Sequence, residues 1–244
     1  MRIAALSDFH IGARAYMDEF HHDEHSFLAY LDRLEASHDR IVLVGDIYQT
    51  EHAMRPGHRA AARELTRARR RLPALAERLR SGPYVYLHGN HDAAAARELG
   101  APESLRLVAD GFAMVFIHGH QFDPIFSRAY AAARAATWFT GRLRRLGLRP
   151  LAQWFEGRDI TLKHRRFGHA AGPYAQAARA LLREHTADLV IMGHTHVPHL
   201  HTLPEGRIVN TGSCSRGRHM HVSIDTLTRS VELHAPGMEF PPGS

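Results

Sequence analysis

Five short polar clusters stand out in the chain, because most of them directly follow an apolar, strand-like segment. In order they are Asp8-Phe9-His10, Gly45-Asp46, Gly89-Asn90-His91-Asp92, His118-Gly119-His120 and Gly193-His194-Thr195-His196. Ligand sites of α/β sheets form where strands end, so clusters that lie far apart in the sequence can meet in one crevice. Each pattern alone is common by chance. Their joint occurrence at successive strand ends predicts a functional site.

The side-chain types in these clusters favour divalent metal ions. Carboxylate, imidazole and amide groups suit borderline ions better than they suit a thiolate-seeking metal. The only cysteine, Cys214, can form neither an intrachain disulfide nor a cysteine-rich zinc site. Nitrogen and oxygen must therefore hold any metal. Manganese, iron and zinc are ions of this kind.

The segments that position the clusters predict an α/β fold. Short apolar or β-branched runs predict strands buried on both faces at 3–7, 41–44, 84–87, 113–117 and 189–192. Helical patterns lie between several of them, at 27–34, 58–79 and 172–185. After Gly193, strand-like runs follow one another without helices at 199–202, 207–210, 220–224 and 231–234. These late runs predict a second, more antiparallel sheet.

One stretch interrupts the strand pattern. From 123 to 166 the sequence carries aromatic and arginine-rich helical segments, including Trp138 and Trp154. We predict a helical cap inserted at 123–166 in a single domain that spans 1–244. Glycines such as Gly141, together with Pro150, are expected to divide the cap into several short helices.

Composition limits the class of protein. The chain has 244 residues, 44% of them hydrophobic, which is enough for a substantial core. No apolar run approaches the roughly 20 residues that span a bilayer, and Met1-Arg2 leads directly into a strand-like segment, so we expect a cytoplasmic location. The net charge of +6 suits an anionic, phosphorylated substrate, although solvated helix faces would account for it equally well.

Taken together, the clusters resemble the pattern of the calcineurin-like metallophosphoesterase family: D-x-H, G-D, G-N-H-[DE], a lone His and G-H-x-H. The resemblance runs from Asp8 to His196, and the Gly-Asn-His-Asp and Gly-His-Thr-His blocks are its most specific parts. The segment from Asn210 to Ser213 is also similar to the one that follows the last ligands in these proteins. The implied fold is a four-layer αββα sandwich, with two mixed sheets flanked by helices.

The resemblance also implies a two-metal centre. It assigns the first metal to Asp8, His10 and His196. It assigns the second to Asn90, His118 and His194. Asp46 would bridge two ions about 3.5–4 Å apart, which lower the pKa of a shared water for attack on phosphorus.

Two neighbours of these ligands receive other roles. The family does not use His91 as a ligand, so this residue would contact a phosphoryl oxygen and protonate the leaving group. Asp92 would accept from the His91 ring and fix its tautomer, or cap the following helix. His120 is left outside the ligand set, with either an outer-shell or a solvent-facing position.

Among members of the family, the layout is most similar to UDP-2,3-diacylglucosamine pyrophosphatases, which carry a helical lid but have Arg at the position of His91. That residue is closer to the general phosphodiesterase and phosphatase pattern. The resemblance implies a small phosphorylated substrate, lipid-linked or nucleotide-containing, with peripheral membrane contact as an option. The alternatives are a cyclic-nucleotide phosphodiesterase, a nuclease acting on nucleic acid, and a metal-binding scaffold without activity.

Overall fold

Two five-stranded sheets form the centre of the computed structural model, which describes residues 1–53, 57–148, 150–152, 154–155 and 172–237. The strands are β1 Arg2–Leu6, β2 Ile11–Gly12, β3 Arg40–Val44, β4 Tyr48–Gln49, β5 Tyr84–Leu87, β6 Ser104–Ala109, β7 Phe112–Ile117, β8 Leu189–Met192, β9 His199–Leu203, β10 Gly206–Asn210, β11 His221–Asp225 and β12 Ser230–His234. The α-helices are α1 Glu24–Ser37, α2 His58–Arg71, α3 Pro73–Arg78, α4 Ala94–Glu98, α5 Pro124–Arg145 and α6 Pro173–Glu184. A 3-10 helix covers His120–Phe122.

Both large sheets are mixed. The first has the order β12-β11-β1-β3-β5, in which β1, β3 and β5 are parallel and β11 and β12 are antiparallel. The second has the order β6-β7-β8-β10-β9, with a parallel centre and antiparallel edges. The late strands are divided between the sheets, so the expectation that they complete one sheet together is wrong. The reason is that β11 adds to the open side of β1, where Ile224 pairs with Ile3.

Alternation along the strands fills two different cores. In β1, Ile3 and Ala5 face the layer between the sheets, whereas Ala4 and Leu6 face the helices. The layer between the sheets also receives Phe116 from the second sheet. Strand β1 is therefore buried on both faces, as its apolar sequence predicts.

Helices cover the outer face of each sheet. On the first sheet, α1 buries Phe27, Leu31 and Leu34, and its N-cap Asp23 accepts from the backbone N–H of Ser26 at 2.9 Å. On the second, α6 packs its own apolar face against β8 and β10. The resulting order of helix, sheet, sheet and helix confirms the predicted four-layer sandwich.

Three local expectations differ from the structure. The helical stretch at 58–79 is two helices, because Pro73 ends the first and begins the second. Strand β6 was not predicted: it lies at a sheet edge, and its residues alternate between exposed and half-buried positions instead of forming an apolar run. Gly141 lies inside α5 and does not break it. A Cβ there would come within 2.9 Å of the His52 ring, so glycine permits a close approach.

The predicted cap is partly described. Helix α5 runs for 22 residues directly after Asp123. Residues 149, 153 and 156–171 lie outside the described residues, and with them the remainder of the predicted cap at 123–166. None of the helices in the described ranges is both long and apolar enough to cross a membrane.

Candidate metal centre

The backbone is unusual where the predicted ligands leave their strands. Asp8, His10, Asp46, His194 and His196 all have positive φ angles, between 53° and 66°. Residues other than glycine rarely adopt this left-handed region, and each instance costs on the order of 1–3 kcal/mol. The fold therefore holds five of the seven predicted ligands in a conformation that local preferences oppose, which points to a functional constraint.

Backbone hydrogen bonds tie the ligand loops to one another. The Asp8 N–H donates to the Gly45 carbonyl at 3.1 Å, and the His10 N–H donates to the Asp46 carbonyl at 3.0 Å. On the other sheet, the Gly193 N–H donates to the His118 carbonyl at 3.1 Å. Strand order thus brings clusters that are distant in sequence into one place, as the position of each cluster after a strand predicts.

Glycines permit the closest of these approaches. A Cβ atom on Gly89 would overlap the Asp46 carboxylate, and one on Gly193 would overlap the Ser7 hydroxyl and come within 2.8 Å of an Asp8 oxygen. No residue with a side chain fits at these two positions without displacing a neighbour, which explains why glycine begins both of the most specific sequence blocks.

Each of the two ligand carboxylates is anchored through one oxygen and presents the other to the centre. Asp8 accepts through Oδ2 from the His194 N–H at 3.0 Å and from the Ser7 hydroxyl. Asp46 accepts through Oδ1 from the His91 N–H at 2.7 Å. The second oxygens, Asp8 Oδ1 and Asp46 Oδ2, face imidazole nitrogens, with His196 Nε2 at 3.2 Å and His118 Nε2 at 3.1 Å respectively.

The imidazoles are oriented in a similar way. His118 Nδ1 lies 2.8 Å from the Val44 carbonyl, an acceptor only, so Nδ1 carries a proton and Nε2 is turned toward Asp46. His10 Nε2 and His196 Nε2 are 3.2 Å apart. Two imidazole nitrogens and an Asp8 oxygen therefore converge on one point.

The donor atoms fit divalent metal ions. Three groups have potential ligand atoms within 4.8 Å of one another: Asp8 with His10 and His196, His10 with Asp46 and His91, and Asp46 with His118 and His194. Buried atoms that accept or donate no hydrogen bond within the described part of the chain include Asp8 Oδ1, Asp46 Oδ2, Asn90 Oδ1 and His118 Nε2. Since buried polar atoms are otherwise almost always paired, these oxygens and this nitrogen have the arrangement expected of metal ligands.

The carboxylates and imidazoles of the centre shift one another's pKa values. Burial would raise the pKa of Asp8, but the neighbouring imidazoles, His196 foremost and then His10, hold it well below its usual range. The pKa of Asp46 is likewise well below its usual range, because His118 and His91 outweigh burial. Burial opposes the charge on His118, yet Asp46 raises the pKa of this imidazole to about 9. Two ionised carboxylates thus attract positive charge to the centre.

Asp92 does not occupy its expected position. Its carboxylate turns under the Asp46 loop, where Oδ2 accepts from the Ile47 N–H at 2.7 Å and Oδ1 from the Gly89 N–H at 2.6 Å. The Tyr86 hydroxyl donates to the same carboxylate at 2.5 Å. Asp92 therefore ties two ligand loops together. It neither caps α4 through its side chain nor supplies the described partner of the His91 ring.

The ring of His91 contacts Gln49 instead, with Nδ1 and Oε1 2.8 Å apart. A second residue that sequence analysis missed is Asp123, whose Oδ2 lies 3.2 Å from His194 Nε2 while both side chains are only 2% exposed. No motif marks either residue. Both lie a few residues beyond a predicted cluster, Gln49 after Gly45-Asp46 and Asp123 after His118-Gly119-His120, but nothing in the sequence pairs them with their partners.

The segment from Asn210 to Ser213 packs against the Asp8 loop. The Thr211 and Ser7 hydroxyls are 2.6 Å apart, and the Ser213 hydroxyl donates to the Asp8 carbonyl at 3.0 Å. His120 lies beside the centre, with its ring 5.5 Å from that of His118, and burial lowers its pKa to about 3. His120 is therefore a neutral neighbour of the predicted ligands.

Comparison with known proteins agrees with this geometry. The model of the calcineurin-like phosphoesterase family matches residues 1–198, and the chain belongs to that family. It is a metal-dependent phosphoesterase, and its family binds a dinuclear centre of divalent metal ions. No curated protein matches the chain.

Solved structures with a similar fold come from several organisms. A conserved protein described as a predicted phosphoesterase from Streptococcus pneumoniae is 18% identical, with 99% of this chain and 93% of that chain covered and a TM-score of 0.48. An archaeal phosphodiesterase is 11% identical, with 96% and 99% covered and a TM-score of 0.45. Vps29 from Entamoeba histolytica in complex with zinc is 15% identical, with 96% and 97% covered and a TM-score of 0.46.

Proposed function

We propose that the chain hydrolyses phosphoester or pyrophosphate bonds with two divalent ions, manganese foremost, held by the seven predicted ligands. Asp8, His10 and His196 would hold one ion. Asn90, His118 and His194 would hold the other. Asp46 would contribute a ligand to both. The observation that carries the proposal is that Asp46 takes part in two of the three ligand groups.

The residues of this chain have distinct tasks in that reaction. When bound, the ions supply Lewis-acid polarisation of the phosphoryl group and lower the pKa of a bound water. Asp46 keeps its bridging position because the His91 N–H holds its outer oxygen. The His91 ring, 4.8 Å from that of His10, stabilises charge on a phosphoryl oxygen and protonates the leaving group.

For the substrate, we propose a small phosphorylated molecule with an apolar group, of which an acylated nucleotide-sugar pyrophosphate is the best specific example. Support comes from large apolar side chains exposed in and after α5: Phe139, Leu146, Leu148, Leu151, Trp154 and Phe155. Such a surface can cover acyl chains beside a phosphate group.

A nuclease is less well supported, because several arginines that would follow a phosphate backbone already pair with acids. Arg71 contacts Asp18 at 2.6 Å. Arg144 forms a buried ion pair with Glu19. These arginines stabilise the fold and are not available to track nucleic acid.

Turnover of a chromogenic phosphodiester in added manganese tests the reaction class. Asp46→Ala is expected to lose bound metal together with activity, because it removes the bridging carboxylate. His91→Ala is expected to keep both metals and to lose about 10²–10⁴ in kcat. Metal content measured on both variants separates the two roles. A wild-type chain that binds two ions but turns over no ester would favour a scaffold.

The substrate proposal has its own test. Trp154→Ala with Phe155→Ala should lower kcat/KM for an acylated nucleotide sugar and leave the small chromogenic diester unaffected. Leu227 is 76% exposed and lies between β11 and β12, so Leu227→Ala is the matched control. Equal effects on both substrates would reject the apolar group and leave the reaction class intact.

A further inference from the structure

Gln49 is a buried polar residue that no sequence motif marks. Its side chain is only 4% exposed, and its Oε1 lies 2.8 Å from His91 Nδ1. It comes three residues after Asp46, at the end of β4. It is therefore placed against His91, whose ring lies beside Asp46 and His10 in one of the three ligand groups.

The backbone holds Gln49 in register with the first ligand cluster. Strand β4 pairs with β2, so Gln49 lies opposite Gly12, just beyond His10. The next residue, Thr50, contacts the His91 carbonyl twice, through its N–H at 2.9 Å and its hydroxyl at 2.7 Å. Two successive residues thus contact His91: Gln49 contacts its ring and Thr50 contacts its backbone carbonyl.

The chemistry of the contact decides which ring nitrogen faces the substrate. An amide oxygen only accepts hydrogen bonds. Nδ1 of His91 therefore carries the hydrogen and donates the hydrogen bond to Oε1 of Gln49. The nitrogen of His91 that is left to contact the substrate is then Nε2. The Asp92 carboxylate cannot do the same work, because it accepts from the Ile47 and Gly89 backbones.

We propose that Gln49 is the positioning residue of the reaction: it fixes the tautomer and the orientation of the His91 imidazole, so that Nε2 is aimed at the phosphoryl group. This inference rests on the role proposed for His91. Such a partner orients a ring in the way that outer-shell groups orient metal-ligating histidines.

Substitutions at Gln49 test the proposal. Gln49→Met keeps the approximate volume and removes the acceptor, so kcat should fall by about tenfold to a hundredfold, while KM stays within about twofold and two metals remain bound. Gln49→Glu keeps an acceptor oxygen and should restore kcat to within about threefold of the wild type. Gln176→Met makes the same change on the exposed side of α6 and should have no effect.

A double-mutant cycle with His91→Ala shows whether Gln49 acts through that ring. In the His91→Ala background, Gln49→Met should change kcat by less than about threefold, since no imidazole remains to be oriented. Additive losses would overturn the inference, as would loss of metal in Gln49→Met. Full activity of His91→Ala would instead contradict the role proposed for His91, so the two failures are distinguishable.

Discussion

The contact between Asp123 and His194 allows a quantitative test of the metal centre. Because Asp123 Oδ2 faces His194 Nε2 at 3.2 Å, Nδ1 is the nitrogen of this imidazole that would serve the metal. A neutral imidazole that donates its Nε2–H to this buried carboxylate leaves Nδ1 unprotonated for the metal, and a hydrogen bond to a charged group of this kind is worth about 1.5–3 kcal/mol. Outer-shell carboxylates change metal affinity by about 10–100-fold.

Two substitutions divide this effect into charge and hydrogen bond. Asp123→Asn keeps an acceptor and should weaken Mn²⁺ binding by about tenfold, whereas Asp123→Leu removes it and should weaken binding by about a hundredfold. Calorimetric titration of the metal-free chain with Mn²⁺ measures both, and kcat at saturating Mn²⁺ should stay within about threefold of the wild type. Asp110→Asn, at an exposed carboxylate that pairs with the N-terminus, is the control. If both Asp123 variants bind Mn²⁺ as the control does, the carboxylate does not support the ligand.

The remaining predictions address space, acidity and metal removal. Gly89→Ala should abolish activity, because its Cβ would displace the Asp46 carboxylate; retained activity with two bound metals would show that the loop can move. Burial, His234 and His38 lower the pKa of His221 to about 3, so this group contributes stability that is complete above about pH 6.5 and is lost as the pH falls toward 3. His221→Gln should therefore reduce the loss of unfolding free energy between pH 6.5 and 4.5 by about 2 kcal/mol in denaturant titrations, and the exposed His25→Gln should not. Chelation should lower the melting temperature, and Mn²⁺ at about 100 times its Kd should restore about 2.7 kcal/mol of stability; an unchanged melting temperature would contradict a folded-state metal site.

The clusters that carry the predicted ligands were visible in the sequence because most of them follow an apolar strand. The ends of β1, β3 and β8 could be located from Leu6, Val44 and Met192. The parallel strands β1 and β3 place their clusters at one end of the first sheet, whereas the meeting with the cluster after β8 depends on how the second sheet packs against the first. The helix on each outer face was equally visible from its periodicity. These features depend on local pattern alone.

The supporting residues could not be read in this way. The partner of the His91 ring depends on how β4 pairs with β2, a contact of two residues on each side that leaves no apolar signature. Its proximity in the sequence favoured Asp92 as the partner of the His91 ring. The Asp92 carboxylate instead accepts from a backbone N–H group of a loop 45 residues earlier. Asp123 meets His194 because β7 and β8 are neighbours in the second sheet, although the two residues lie 71 positions apart in the chain. Such partners follow from tertiary packing, which no short pattern records.

Helix α5 is tied to the surroundings of the metal centre at both of its ends. Asp123, immediately before it, reaches His194, and Arg144, in its last turn, forms an ion pair with Glu19 in which both residues are buried. Breaking a buried ion pair costs about 3–5 kcal/mol. A rigid swing of α5 away from the metal centre is therefore unfavourable, so we expect this helix to keep its place when substrate binds.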